Sequence, residues 1–596
     1  MMQIWPDNPG GNVKRLAAWA ERHPGLVGFA LTLVYCSLVY ARALRRPLWH
    51  DELFTLYIAQ SRTLAQMWHA LRTVDLNPPL SYLLARAALA VFKPPSLACR
   101  IPSMLAFLLA SLLLFIFIKR RTTTVYATLG VLLLWNSRFM DYATEARPYA
   151  LLFAFTMIML LAWQCATTDE RRGTSLLVIS LAGFGLLFSH VFGLCALAAF
   201  WMAEVVRCYS RRKPDWTLWA CLLLPLIGCI TYIPLIRNQS VVLFPAQWQP
   251  SVERIALIYQ NQAQAAFLPL LVMLILAAAW RKKPSTRQFP LSTPESVLLV
   301  CLLVVPIEIS LLLVRTHGAL FERYGIVAVI PIAVLPVLSL AWGSQCNPVA
   351  GVVLAAWLLM SAYVPPRLIA VEELPGILSP RQTAEFVQWV FPLPLAERPV
   401  KNIDVSYGKS PLEPPVQLSG GLDDLHPELP IVAASALTFL EMDNREDEKV
   451  AKRLFYLTDR EAATQISHAT LFEPYAQLKG VFPIRGTIER YQDFVRANPK
   501  FLVIGTYDYP EDWLLQKLHA DGAMARRGWQ IGLAYKDRDV YEISIPPDFP
   551  LRDKFTAVKA DSAAQSKGGV AQTSPGNRRH AIRSDYNERG YEDRNN

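Results

Sequence analysis

The chain has 596 residues, 53% hydrophobic and 18% charged, with a formal net charge of +11. A soluble protein of this length carries more charge, and here the apolar residues run in blocks that reach the ~20 needed to cross a hydrocarbon core; an integral membrane protein is the leading class. The basic excess sits against those blocks, as in Lys119-Arg120-Arg121 and Arg281-Lys282-Lys283, so it reads as loops held at an anionic inner surface and not as a nucleic-acid footprint.

Residues 1–24 read as a cytoplasmic N-terminus. The first apolar run, 25–43, is followed by no small-residue cleavage site and is expected to be an uncleaved span. Residues 44–100 then form one long far-side loop holding Trp49-His50-Asp51-Glu52 and Asp75-Leu76-Asn77-Pro78-Pro79. The apolar stretch 78–92 within it lies along the surface or dips in and returns, because a full crossing would put Lys119–Arg121 outside. Further spans are expected at 101–118, 122–139, 148–166, 174–188, 191–209, 216–236, 265–280, 295–314, 324–342 and 348–363, about eleven in all. Their order follows from the basic clusters at 119–121, 171–172, 211–213 and 281–283. If each is cytoplasmic, each interval holds an even number of crossings and one far-side turn. Arg42, Arg45 and Arg46 follow the first span on the disfavoured side, either because long loops obey the rule poorly or because they meet a lipid phosphate.

From 364 to 550 the composition is that of a soluble α/β domain, placed on the periplasmic side. Strands are expected at 430–434, 453–457 and 501–505, with helical spacing at 487–497 and 511–520. No Gly-rich phosphate loop follows those strands. No cysteine follows Cys346 and no CxxC pair suggests zinc. Residues 551–596 are polar and expected to be disordered.

The far-side turns carry the chemistry. Asp51, Glu52, Asp75 and Asn77 come from the first loop, Asp141, Glu145 and Arg147 from the second, His190 from the third, and His317, Glu322 and Arg323 from a late one. Carboxylates and arginines at a bilayer suit a transfer in which a base deprotonates an acceptor hydroxyl while cations stabilise a departing phosphate. Such a leaving group needs no general acid, and an Arg fork matches its oxygens. Blander readings stand beside these. An Asp-Glu pair next to a span is most often a solvated interface, Trp49 an interfacial anchor, Asn77-Pro78-Pro79 a helix start, and His190 structural. Glu322 and Arg323 can pair with each other, and Glu308 inside a span hints weakly at an ion pathway.

The stretches WHDELFTLYIAQ, DLNPPLSYLLARAAL and ACRIPSMLAFLL, with DYATEARPYALLFAF, SHVFGL and ERYGIVAVIPIAVL after them, resemble glycosyltransferase family 39. That family includes protein O-mannosyltransferases, lipid A aminoarabinose transferases and rhizobial galacturonosyltransferases of lipopolysaccharide. The resemblance spans roughly the first 340 residues. It implies a polytopic α-helical membrane fold of the GT-C type, a polyprenyl-phosphate sugar donor, and transfer on the periplasmic face of the inner membrane to a lipid, glycan or protein hydroxyl. It makes Asp51 the candidate general base with Glu52 supporting it. Asn77, Asp141, Glu145, Arg147, Tyr149 and His190 become candidates for donor or acceptor binding, and Arg323 for the lipid phosphate. Asn77 replaces the family's usual histidine before the two prolines, and His50 receives no role. No metal site or cofactor is expected, although acids with His190 or His317 leave a divalent metal open. The alternatives are a transporter or flippase of lipid-linked sugars, which would want polar residues along several spans, and a non-catalytic membrane scaffold.

Overall fold

The computed structural model describes residues 9–75, 77–168, 171–239, 248–263, 267–280, 289–316, 318–363, 427–467, 482–505, 513–532, 537–547 and 549. The chain divides into two compact units, a helical one up to about residue 397 and a C-terminal one containing a sheet. The readings for 364–426, for His317 and for the tail 551–596 lie outside the described residues.

Among the described residues of the helical unit, seven helices are long and apolar enough to cross a membrane: Pro24–Leu44, Pro95–Lys119, Tyr149–Thr167, Arg172–Ser189, Trp216–Leu235, Thr293–Thr316 and Glu322–Gly343. The other four expected spans are helices too. Thr124–Trp135, Phe267–Trp280 and Pro348–Tyr363 are shorter, and Gly193–Arg211 carries Glu204 and Arg207 buried in its length. The stretch after Pro79 is the helix Leu80–Val91. Its twelve residues reach about 18 Å, too short to cross.

Polar contacts gather at both ends of several of these helices. At one end, Glu21 accepts from the Thr124 amide at 2.7 Å and lies 3.6 Å from Lys119; Glu295 meets Arg121 and Gln164; Asp215 bridges Arg172 and Arg207, each at 2.7 Å. At the other end stand Arg100, Arg147 and His190, where the helices beginning at Ile101 and Tyr149 start and the helix Arg172–Ser189 stops. The helix Ile101–Lys119 therefore runs from one of these polar ends to the other.

Between the layers the packing is apolar and close. A Cβ on Gly343 would stand 2.7 Å from the Ala277 carbonyl oxygen and 3.2 Å from its Cα, which are backbone and cannot swing aside. A Cβ on Gly28, by contrast, would meet nothing within 4 Å. Gly343→Ala is expected to destabilise by about 1–3 kcal/mol through forced helix separation. Gly28→Ala gains up to about 1 kcal/mol from helix propensity. Melting of the two detergent-purified variants in opposite directions from wild type is the expected result; a stabilised Gly343→Ala would contradict the crossing.

The C-terminal unit holds a six-stranded sheet. Its strands are β1 (Ile431–Ala433), β2 (Leu454–Thr458), β3 (Thr487–Arg490), β4 (Lys500–Gly505), β5 (Met524–Gly532) and β6 (Asp537–Ser544), in the order β3-β2-β1-β4-β6-β5. The first four are parallel and β6 and β5 antiparallel. The three expected strands are β1, β2 and β4, continuous apolar runs buried on both faces as central parallel strands require. The expected helix at 487–497 is corrected at its start. Residues Thr487–Arg490 pair with β2, Ile488 opposite Tyr456, and only Tyr491–Ala497 is helical. Four residues beside an open strand edge follow the ladder and not the helical spacing of what comes after.

Candidate active site

The helix His50–Ala59 begins directly after Leu48-Trp49, and its third residue Glu52 accepts from the Trp49 amide at 3.4 Å, closing the first turn. Glu52 is fully buried. Arg100 grips it from two sides, Nε to Oε1 at 2.7 Å and Nη2 to Oε2 at 2.6 Å. Arg46 Nη2 adds a contact at 3.2 Å and the Ala146 amide donates to Oε1 at 2.9 Å. Burial pushes the Glu52 carboxyl up, but Arg100 and Arg46 outweigh it and hold it at about 2. Arg100 also donates to the carbonyls of Ala43, Arg46 and Pro47 at 2.7, 2.7 and 3.0 Å. One buried pair thus ties the end of the helix Pro24–Leu44 to the loops holding Pro47 and Ala146, and Glu52 has no oxygen left for a substrate.

Asp51, one residue earlier, faces differently. Its Oδ2 lies 3.3 Å from Arg323 Nη2 and 3.9 Å from Arg147 Nε, accepts no hydrogen bond and is shielded from water. Burial pushes its carboxyl up, while Arg147, Arg323 and His50 pull harder and keep it below the usual aspartate value. Arg147 is itself braced: its fork meets Asp75 at 2.8 and 3.2 Å, and Nη1 donates to the Asp51 carbonyl at 3.2 Å. Asp75 further accepts from Tyr82 and, at 3.0 Å, from Asn77 Nδ2. Asn77 therefore acts on the site through Asp75.

The second loop is a 3-10 turn, Arg138–Ala143, followed by residues buried despite their polarity. Asp141 pairs with Arg42. Glu145 has Arg46 Nη1 3.8 Å from Oε1, and its Oε2 has no hydrogen-bond partner. Burial raises its carboxyl first, the negative Glu52 and Asp141 add to that, and Arg46 and Arg323 only partly oppose it; the result is about 7.

His190 is buried between the rings of Tyr149, Tyr324 and Phe192, at 5.5, 5.5 and 5.3 Å between centroids. Its Nδ1 accepts the Phe192 amide at 3.2 Å. Burial, with Arg147 and Arg323 nearby, drops its pKa to about 3. The ring is thus neutral, with its proton on Nε2. Arg323 stacks on Phe321, its guanidinium carbon 4.3 Å from the ring centre.

Asp51, Glu52, Glu145, Arg147, Tyr149, His190 and Arg323 therefore share one buried cluster, with Asn77 and Asp141 held at its edge through Asp75 and Arg42. Two expectations change. Arg42 and Arg46 meet protein carboxylates, so their place after the first span is explained within the chain; the side chain of Arg45 lies outside the described residues. Glu322 and Arg323 do not pair: Glu322 faces Arg138 at 3.7 Å while Arg323 faces Asp51, because successive residues of the 3-10 turn Glu322–Ala328 point apart. Arg100 went unassigned in the sequence. Its signal was a lone arginine directly before a long apolar helix, a position that demands a partner. Among the described residues, no group of three or more His, Cys, Asp or Glu is placed to hold a metal ion.

Residues 76–233 match the family described as dolichyl-phosphate-mannose-protein mannosyltransferase. The matched region contains Asn77, Asp141, Glu145, Arg147, Tyr149 and His190, while Asp51 and Arg323 lie outside it. No curated protein matches the chain. Among solved structures the chain is similar to ArnT from Cupriavidus metallidurans in the apo state, at 14% identity and a TM-score of 0.46, over 88% of this chain and 98% of that one. It is also similar to ArnT from the same organism bound to undecaprenyl phosphate, at 14% identity and a TM-score of 0.42 with the same coverage. The likeness of this polytopic helical chain to a membrane glycosyltransferase family thus lies in residues 76–233.

Proposed function

We propose that the protein moves one sugar from a polyprenyl-phosphate donor to a hydroxyl of a lipid, glycan or protein acceptor at the periplasmic face of the inner membrane. The observation that carries this is the Asp51 carboxylate set between Arg147 and Arg323, with Oδ2 buried and accepting no hydrogen bond. Asp51 takes the acceptor proton, the acceptor oxygen bonds to the anomeric carbon, and the bond from that carbon to the phosphate breaks with its electron pair leaving on the phosphate. Arg323 and Arg147 receive that charge. A phosphate drawn to the same two arginines also loosens their hold on Asp51, raising its basicity when donor is present. Glu52 supports Asp51 by fixing the helix start, and Glu145, Tyr149 and His190 line the place of the sugar.

The test uses purified protein in nanodiscs with a radiolabelled polyprenyl-phosphate sugar and an extract of envelope lipids and glycans as acceptor. Label moving into acceptor with release of polyprenyl phosphate supports the reading. Consumption of a nucleotide sugar instead, or passage of label across proteoliposomes with the glycosidic bond intact, refutes it. Orientation is read separately with a membrane-impermeant thiol reagent on Thr63→Cys, whose labelling in spheroplasts is expected; labelling only after lysis would reverse the topology.

A further inference from the structure

Hydrogen-bond capacity is unevenly filled around the buried charges. Every arginine of the cluster faces a carboxylate: Arg42 with Asp141, Arg46 and Arg100 with Glu52, Arg138 with Glu322, Arg147 with Asp75, and Arg323 with Asp51. Among the carboxylates Glu145 stands apart. It is 3% exposed, its nearest cation is 3.8 Å away on one oxygen, and the other oxygen accepts nothing. Leaving such an acceptor empty in the interior is costly, so its persistence marks a place that a ligand completes. Glu52 and Asp141 act on Glu145 from the acidic side, and Arg46 and Arg323 from the basic side. Arg323 is the residue assigned to the donor phosphate, which puts Glu145 within electrostatic reach of the sugar attached to it.

We propose that Glu145 determines donor specificity, its Oε2 accepting a hydrogen bond from a hydroxyl or ammonium group of the donor sugar, so that the site takes neutral or amino sugars and rejects a sugar carboxylate. This rests on the polyprenyl-phosphate reading above. A hydroxyl or ammonium fills the empty acceptor, whereas a uronate would bring a further negative charge beside Glu145, Glu52 and Asp141. Sites built to bond a substrate group discriminate strongly against analogues that leave them unpaired.

The experiment compares synthetic polyprenyl-phosphate glucose, glucosamine and glucuronate on wild type and Glu145→Gln, with thermal melting to establish that both are folded. Wild type is expected to favour the neutral or amino sugar over glucuronate by about tenfold or more in kcat/KM. Glu145→Gln, which offers an amide N–H to a carboxylate, is expected to erase most of that ratio through KM. A larger loss for glucosamine than for glucose assigns the ammonium; equal losses assign the hydroxyl. Wild-type preference for glucuronate, or a variant that loses all three donors equally, overturns the proposal. Binding of bare polyprenyl phosphate with no sugar preference refutes the role of Glu145 alone, whereas failure to bind polyprenyl phosphate or any of the three donors removes the transferase reading and this proposal with it.

Discussion

Asp51→Asn is expected to lower sugar transfer by roughly 10²–10⁴-fold, the usual contribution of a positioned general base, with membrane insertion intact. The carboxylate is held below the ordinary aspartate value by Arg147 and Arg323 despite its burial, so it is ionised throughout the neutral range and needs no deprotonation before it acts. Asn keeps the shape and one oxygen but cannot take a proton. Because Arg147 retains its fork on Asp75 and Arg323 its stacking on Phe321, the phosphate contacts survive, and the loss falls on kcat with KM for donor little changed. The depressed pKa places Asp51's own titration below its ordinary value near 3.8, so any change of rate near pH 7 belongs to another group, and Glu145 at about 7 is the one placed there. Glu145→Gln should accordingly flatten the neutral limb of the pH profile without abolishing turnover. Asp51→Asn protein that forms product at a near-normal rate would remove Asp51 as the base.

What the sequence revealed and what it hid divide along one physical line. Hydrophobic runs and basic clusters are local signals, and from them the helices at the expected spans and the gathering of Asp51, Glu145, Arg147, His190 and Arg323 at one end of them were legible. Partner choice is not local. Glu52 is held by Arg100, 48 residues on, and Asp51 by an arginine near the other end of the helical unit. Adjacent acids therefore read as a pair with one role, whereas one turn of helix aims them at different partners: Glu52 into a saturated clamp, Asp51 toward Arg147 and Arg323. The same limit misled the reading of Glu322 with Arg323, neighbours in the chain whose contacts run to separate elements. In the C-terminal unit the buried central strands declared themselves by composition, while β3, an edge strand of four residues, was hidden in helical spacing that belonged to its successor.

Arg100→Met is expected to destabilise the helical unit by roughly 3 kcal/mol, the low end for breaking a buried ion pair, because Arg46 still meets Glu52 at 3.2 Å. Arg100 is fully buried and makes two contacts to Glu52 and three to the carbonyls of Ala43, Arg46 and Pro47, so its removal empties acceptors on three segments at once. Linkage supplies a second reading. Glu52 sits at about 2 in the fold against an ordinary 4.5, so the pair contributes stability that is fully present above pH 4.5 and is lost as pH falls towards 2. At 1.4 kcal/mol per unit this amounts to roughly 3 kcal/mol. Wild type should therefore lose melting temperature between pH 5 and pH 3, and Arg100→Met, whose Glu52 is no longer held down, should lose far less over the same interval. Adding Glu52→Gln to Arg100→Met should recover part of the deficit at pH 7, because the orphaned charge is gone, although the carbonyls stay unfilled. Melting curves of detergent-purified wild type, single and double variants at pH 3, 5 and 7 decide the matter: a single variant within about 1 kcal/mol of wild type at pH 7, the range of an exposed ion pair, would mean that the Glu52–Arg100 pair does not anchor the loop that presents Asp51.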